Sequence, residues 1–316
     1  MAGRSALQGL HQDVLLGFAS VKPLPVIGIT LGEPAGVGPE VVQKALQHLS
    51  RKSLGATFRL IGDVRGARPG KPTPKSARQA LAALEESVAL LKTGQIQAVV
   101  NAPVHKAHLQ KVGFAYPGQT EFYARSFRLR EEQVTMMMVS DKLNVALTST
   151  HCSLKQAIGR VSSKGIVIHG TRLIEMLKCK GVKKPRIAVC GLNPHAGEEG
   201  LFGNEEGKTI SPGILALRKR YSGKALVSGP HSPDAIFSSA LQGKVDGVLC
   251  LYHDQGLIPF KLVAFEEGVN LTWGLPFVRV SPDHGTAFDI AGKGVACSSS
   301  MESAIRLAVK LGTVDR

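Results

Sequence analysis

An α/β fold, built on a mainly parallel sheet covered on both faces, is predicted by three features of the sequence. Strand-length apolar runs alternate with helix-length amphipathic segments almost throughout. The segments between strands are long enough to cross a sheet and return, as parallel neighbours require. The 316 residues, 43% hydrophobic, 20% charged and 5% aromatic, have an ordinary globular composition with room for about two domains. Two lobes sharing one chain, with no low-complexity linker and no internal repeat, is the expected architecture.

Taken in order, residues 1–24 read as a loose leader ending at Pro23 and Pro25, without the charged start and apolar core of a signal peptide. Val26–Leu31 reads as a buried strand, and a helix opens at Gly36–Pro39 with Pro39 near its first position. Thr57–Ile61 is a second strand, followed by a Gly/Pro/basic surface loop over Gly66–Pro74. Leu81, Leu84, Val88 and Leu91 recur at helical spacing within Ser76–Lys92. Further strands are expected at Ala98–Val100, Val134–Val139, Val145–Thr148, Arg186–Cys190, Ala225–Val227 and Val245–Leu251. Helices are expected over Ser153–Lys178, Pro212–Tyr221, Pro233–Leu241 and Met301–Leu311. The short turn at Asp141-Lys142 joins two of these strands directly, which predicts one local antiparallel excursion.

Charge and cysteine usage narrow the function classes. The formal net charge is +15, yet the basic residues are scattered in short groups such as Lys183-Lys184 and Arg218-Lys219-Arg220. Without a basic tract, zinc-finger spacing or aromatic–basic interleaving, a nucleic-acid partner is set aside in favour of a positive field for phosphorylated or carboxylate metabolites. The longest apolar runs, Leu24–Leu31 and Val245–Leu251, are strand-length and too short to span a membrane. Five dispersed cysteines, odd in number and without a C-x-x-C pair, suit a reduced, cytoplasmic compartment.

Polar residues gather where strands end, the usual place for ligand chemistry in open α/β sheets. The first cluster, Thr30–Glu40, is Gly-rich and leads into a helix N-terminus, but it is neither a Walker loop nor G-x-G-x-x-G. It can equally be a tight strand-to-helix turn. Thr150-His151, Asn193–Glu198 and Tyr252–Gly256 then follow three separate strands and carry His151, His195 and His253. Neutral imidazoles from different elements can converge on one zinc-like ion and leave a coordination place open, or be three separate structural residues; spacing leaves both open. Lys261, Asn270 and Arg279 combine an ammonium, an amide and a guanidinium, either an anion clamp or unconnected surface residues. The Gly-rich stretch Asp283–Gly294, just ahead of the terminal helix, reads as a binding loop.

The blocks Gly32–Glu40, Asn101–Lys106, Pro117–Glu121, Asn193–Glu198, Tyr252–Gly256, Gly268–Arg279 and Asp283–Gly294 occur in order from about Val26 onward. Together they resemble the 4-hydroxythreonine-4-phosphate dehydrogenase family of vitamin B6 biosynthesis. The last block also resembles the adenine-binding loop of isocitrate and isopropylmalate dehydrogenases. The resemblance implies a two-lobed α/β/α sandwich, isocitrate/isopropylmalate dehydrogenase-like, with the active-site cleft between lobes. Residues 25–125 with 282–316 would form the first lobe, and 126–281 the second, which carries a homodimer interface. It implies NAD- or NADP-dependent oxidation of 4-phosphohydroxy-L-threonine, whose keto-acid product decarboxylates to 3-amino-2-oxopropyl phosphate. Related dehydrogenases act on four-carbon phosphorylated sugar acids or aromatic cis-dihydrodiols.

Residue by residue, the resemblance places a divalent metal, zinc ahead of cobalt or magnesium, on His151, His195 and His253, one of them from the partner subunit. Substrate contacts fall on Gln119, Thr120, Lys261, Asn270 and Arg279, and acid–base candidates on Lys261, Asp254 and Asp234. The cofactor loop supplies His284, Gly285, Thr286, Ala287, Asp289 and Gly292. Two departures stand out: Gln119 occupies the place of a family histidine, and Ile61–Ser76 is short.

Overall fold

The computed structural model describes residues 24–50 and 53–312, so the leader expected over residues 1–24 lies, but for Leu24, outside the described residues. Ten strands are described: β1 (Val26–Thr30), β2 (Thr57–Ile61), β3 (Ala98–Asn101), β4 (Thr135–Val139), β5 (Asn144–Leu147), β6 (Arg186–Cys190), β7 (Leu226–His231), β8 (Gly247–Cys250), β9 (Val269–Trp273) and β10 (Val278–Pro282). They form one sheet in the order β2-β1-β3-β10-β9-β4-β5-β8-β6-β7. Strands β3, β4 and β8 are buried at every residue, which is why they read as continuous apolar runs.

The sheet is parallel at both ends and antiparallel in the middle. β9 runs antiparallel to β10 and to β4, and β4 antiparallel to β5, the excursion expected from Asp141-Lys142. Because of that reversal, the C-terminal ends of β1 and β3 face one edge of the sheet. Those of β5, β8 and β6, which are neighbours, face the other. The three histidine clusters therefore leave adjacent strands on one edge.

Helices cover both faces: α1 (Gly38–Leu49), α2 (Pro74–Lys92), α3 (Lys106–Gln110), α4 (Gln119–Ser126), α5 (Leu154–Arg160), α6 (Ser163–Cys179), α7 (Ser211–Arg220), α8 (Pro233–Leu241), α9 (His253–Ala264) and α10 (Ser299–Gly312). α10 packs on β10, β3 and α1, and α6 on α7 and β8, so apolar side chains from both halves of the chain share one core. No helix among the described residues is long and apolar enough to cross a membrane.

The structure corrects the element reading in three places. The expected helix Ser153–Lys178 is two helices, because Val161 is extended and Ser162 starts afresh, its hydroxyl accepting from the Gly165 amide at 3.1 Å. β9 and β10 escape a periodicity search because Asn270 and Arg279 interrupt short apolar runs. α9 escapes it because Gly256 and Pro259 lie inside the helix.

Candidate active site at the strand reversal

Arg279, the second residue of β10, is the most deeply placed polar group of the predicted set, at 3% exposure. Its Nε donates to Asn101 Oδ1 on β3 at 2.8 Å, and Nη2 donates to Gln119 Oε1 on α4 at 2.9 Å. Nη1 donates to Asn270 Oδ1 on β9 at 3.3 Å. These partners orient the guanidinium, yet all are neutral. Burial lowers its pKa to about 10, against the pull of Tyr123 and Glu121, so the cation persists at neutral pH. A buried cation held by neutral groups is a receptor for an anion.

Gln119, Thr120, Glu121, His151, Asn270 and Arg279 line one cavity of about 160 Å³. Gln119, Thr120, Asn270 and Arg279, four of the five predicted substrate contacts, are thus brought together. The fifth, Lys261, lines a different neighbourhood on α9, where its Nζ lies 3.1 Å from Asp283 Oδ2 and over the Phe265 ring. That ion pair is not aligned as a hydrogen bond, so Oδ2 keeps its capacity to accept. Burial raises the Asp283 carboxyl pKa against the opposing pull of Lys261.

His151 also lines a second, wider cavity of about 610 Å³ that includes Tyr252, His253 and Asp254. The His151 and His253 ring centroids are 5.8 Å apart. Each ring has a carboxylate at Nδ1: Asp254 Oδ1 at 2.6 Å from His253, and Glu121 Oε1 at 3.8 Å from His151. A carboxylate only accepts, so Asp254 fixes the His253 hydrogen on Nδ1 and leaves the Nε2 lone pair available, the arrangement of metal-bound histidines. Burial pushes the Glu121 carboxyl up, and His151 with Lys106 more than offsets it.

His195 does not join them. Among the described residues no three His, Cys, Asp or Glu side chains of one chain gather as a metal site. His195 is exposed, its ring 6.2 Å from Phe202. Asp234 accepts a 2.5 Å hydrogen bond from the Ser232 hydroxyl, the main reason its carboxyl lies below the ordinary range. His195–Glu199 occupies left-handed backbone throughout, with φ from 40° to 84°. Such a conformation costs L-residues about 1–2 kcal/mol each, and functional segments tolerate it.

The predicted cofactor loop lies against the first polar cluster. The Val37 amide donates to the Thr286 carbonyl at 2.9 Å, and a Cβ on Gly36 would meet that oxygen at 2.8 Å, so glycine is required there. The Gly292 amide donates to Glu40 Oε2 at 3.2 Å, and Ala287 holds a left-handed φ of 40°. His284 Nδ1 lies 3.0 Å from the Gly285 carbonyl, while Asp289 is exposed. Glu33 Oε2 and His284 Nε2 are buried without a hydrogen-bond partner, so this region holds polar capacity for a ligand.

Residues 35–308 match the family model described as pyridoxal phosphate biosynthetic protein PdxA. The chain belongs to this family. A PdxA relative named 4-hydroxythreonine-4-phosphate dehydrogenase, from Erythrobacter litoralis, is 37% identical over 91% of this chain and 96% of its own. A D-threonate 4-phosphate dehydrogenase from Cupriavidus necator is 39% identical over 92% and 98%. The crystal structure of 4-hydroxythreonine-4-phosphate dehydrogenase from Klebsiella pneumoniae superposes with a TM-score of 0.75 at 34% identity, covering 92% of this chain and all of that one. A β-decarboxylating dehydrogenase from Thermococcus kodakarensis, at 15% identity and TM-score 0.53, covers 90% of this chain and 87% of that one and shares the fold alone.

Site residues that sequence reasoning missed are those acting on another side chain. Asn101 holds Arg279 and Glu121 faces His151, and both stand inside blocks already singled out. His105 and His108, outside every predicted set, lie 5.6 and 5.8 Å from the Phe288 ring of the predicted cofactor loop. His169 is a buried packing residue whose Nδ1 lies 2.7 Å from Thr135 Oγ1.

Proposed function

We propose that this PdxA protein oxidises 4-phosphohydroxy-L-threonine to 2-amino-3-oxo-4-phosphooxybutanoate with NAD or NADP. That product decarboxylates to 3-amino-2-oxopropyl phosphate on the route to pyridoxal phosphate. The observation that carries the reading is the buried, neutrally held guanidinium of Arg279 in a cavity that shares His151 with the wider histidine cavity. A phosphate fits the first and a reacting hydroxyl the second.

His151, His195 and His253 would hold a divalent metal, zinc in the first instance and cobalt or magnesium as alternatives. His151 and His195 belong to different subunits. When bound, the metal would supply Lewis acidity to the substrate hydroxyl, and a nicotinamide would serve as the hydride acceptor. Arg279, Asn270, Gln119 and Thr120 orient the phosphate. Asp283 Oδ2, held beside Lys261, would accept the hydroxyl proton, because Asp254 is committed to His253 and Asp234 to Ser232. The loop 284–292, resting on Gly36 and Glu40, holds the dinucleotide.

A homodimer accords with the outer face of α9. Directly after His253 and Asp254, Ile258, Leu262 and Phe265 are 68%, 85% and 65% exposed at helical spacing, an apolar stripe that a second copy would cover. The lobes 25–125 with 282–316 and 126–281 flank the cleft. Five free cysteines accord with a reduced cytoplasm.

A second reading, oxidation of a four-carbon phosphorylated sugar acid such as D-threonate 4-phosphate, is favoured by Gln119. Its neutral amide is engaged with Arg279, where a histidine could carry charge. A neutral dihydrodiol would leave Arg279 without its anion. The test is reduced-nicotinamide formation from each phosphorylated substrate, with NAD and NADP, before and after zinc is stripped and restored. Metal-dependent turnover of 4-phosphohydroxythreonine is expected. Turnover of D-threonate 4-phosphate alone in metal-replete protein would replace the first reading by the second.

A further inference from the structure

The five-residue left-handed run His195–Glu199 contains one glycine, Gly197, so four side chains sit where L-residues are disfavoured. One buried carboxylate stands behind it. Glu206, 6% exposed, starts the π-helical turn Glu206–Ile210 that leads into α7. Its Oε1 accepts from the Leu192 amide at 2.7 Å and the Asn193 amide at 2.8 Å, and its Oε2 accepts from Asn193 Nδ2 at 2.9 Å. Glu205 Oε2 takes the same Asn193 amide nitrogen at 2.8 Å.

The run is shaped around this group. A Cβ on Gly197 would lie 2.7 Å from Glu206 Oε2, and one on Gly191 would lie 3.2 Å from Oε1 and 2.8 Å from Ala196 Cα. Both glycines leave room for the carboxylate against the turn.

We propose that Glu206 is the positioning residue for His195: it gathers the two residues before the turn and fixes where the imidazole is presented. The proposal rests on the reading of His195 as a metal ligand. A carboxylate is required because three N–H donors converge on two oxygens that must only accept. Glutamine would oppose its own N–H to that of Asn193 or give up the two backbone amides.

The test combines hydrogen exchange of segment 191–203 in metal-free protein with zinc affinity, measured by competition with a chelator. Wild type, Glu206→Gln, His195→Ala and the double variant are compared. Glu206→Gln is expected to speed exchange in 191–203 and to weaken zinc binding by about 10–100-fold, the usual effect of losing a group that orients a ligand. In the His195→Ala background the same change should weaken zinc binding no further.

Unchanged exchange with unchanged zinc affinity overturns the proposal. So does an equal zinc loss in both backgrounds, since Glu206 would then act on the fold at large. Should Glu206→Gln fail to fold, Glu206→Asp withdraws the carboxylate by one methylene from the Leu192 and Asn193 donors and is read by the same outcomes. Wild-type zinc affinity in His195→Ala would overturn the metal reading itself, and the exchange data alone would then decide whether Glu206 holds the turn.

Discussion

The two ends of the cleft are built to different degrees of completion. At the anion end, buried Arg279 is held by side chains from β3, β9 and α4, all within one chain. At the histidine end, His151 and His253 stand 5.8 Å apart with their carboxylates in place, while His195 waits on an exposed left-handed turn. The difference teaches where each function comes from. On the proposed reading, phosphate recognition would be a property of the folded subunit, whereas the metal site would be a property of the assembly.

The comparison breaks most sharply under histidine substitution. His253→Ala should abolish zinc binding and lower turnover on the order of 10³-fold, the loss of several kcal/mol of charge stabilisation. It should leave the affinity for inorganic phosphate unchanged, as equilibrium binding would check. Arg279→Met is the converse. It should raise KM for the phosphorylated substrate about 10–100-fold, the worth of a charge-assisted hydrogen-bonded pair, with zinc affinity unaltered. If either variant disturbed both ends equally, the ends would not be separable. Gly36→Ala should raise KM for the nicotinamide several-fold, because its Cβ would press on the Thr286 carbonyl at 2.8 Å. Steady-state kinetics with varied cofactor would show it, and neither phosphate nor zinc binding should respond.

A last effect lies away from both ends, in the core beside the reversal. Burial holds the His169 imidazole at about 4, below its ordinary 6.5. Between those values the unfolded chain binds a proton that the native chain does not. Stability is therefore full above pH 6.5 and falls as the pH drops toward 4, by about 3 kcal/mol across the window. Denaturant titrations of wild type and His169→Asn should differ in slope only in that range.

Much of this was legible before any coordinates. The alternation of runs gave the α/β class, and Asp141-Lys142 gave the antiparallel excursion. Histidines at three strand ends gave the candidate ligands. What stayed hidden depended on partners distant in sequence. Arg279 and Asn101 are 178 residues apart, and no periodicity links them. β9 and β10 were hidden by the polar side chains that make them useful. Glu206 was hidden because it acts through backbone amides, which carry no residue-type signature. The left-handed run reads in sequence as His-Ala-Gly-Glu-Glu, with a single glycine to hint at its φ.

The most direct test of the shared metal site mixes two inactive proteins. His151→Ala and His195→Ala subunits would be combined, allowed to exchange, and assayed for zinc-dependent turnover, with heterodimer formation followed by native mass spectrometry. If the two histidines of each site come from different subunits, half the dimers regain one intact site. Activity should then recover to about a quarter of wild type in a random equal mixture. Full exchange with no recovered activity would place both histidines in one chain and contradict the account.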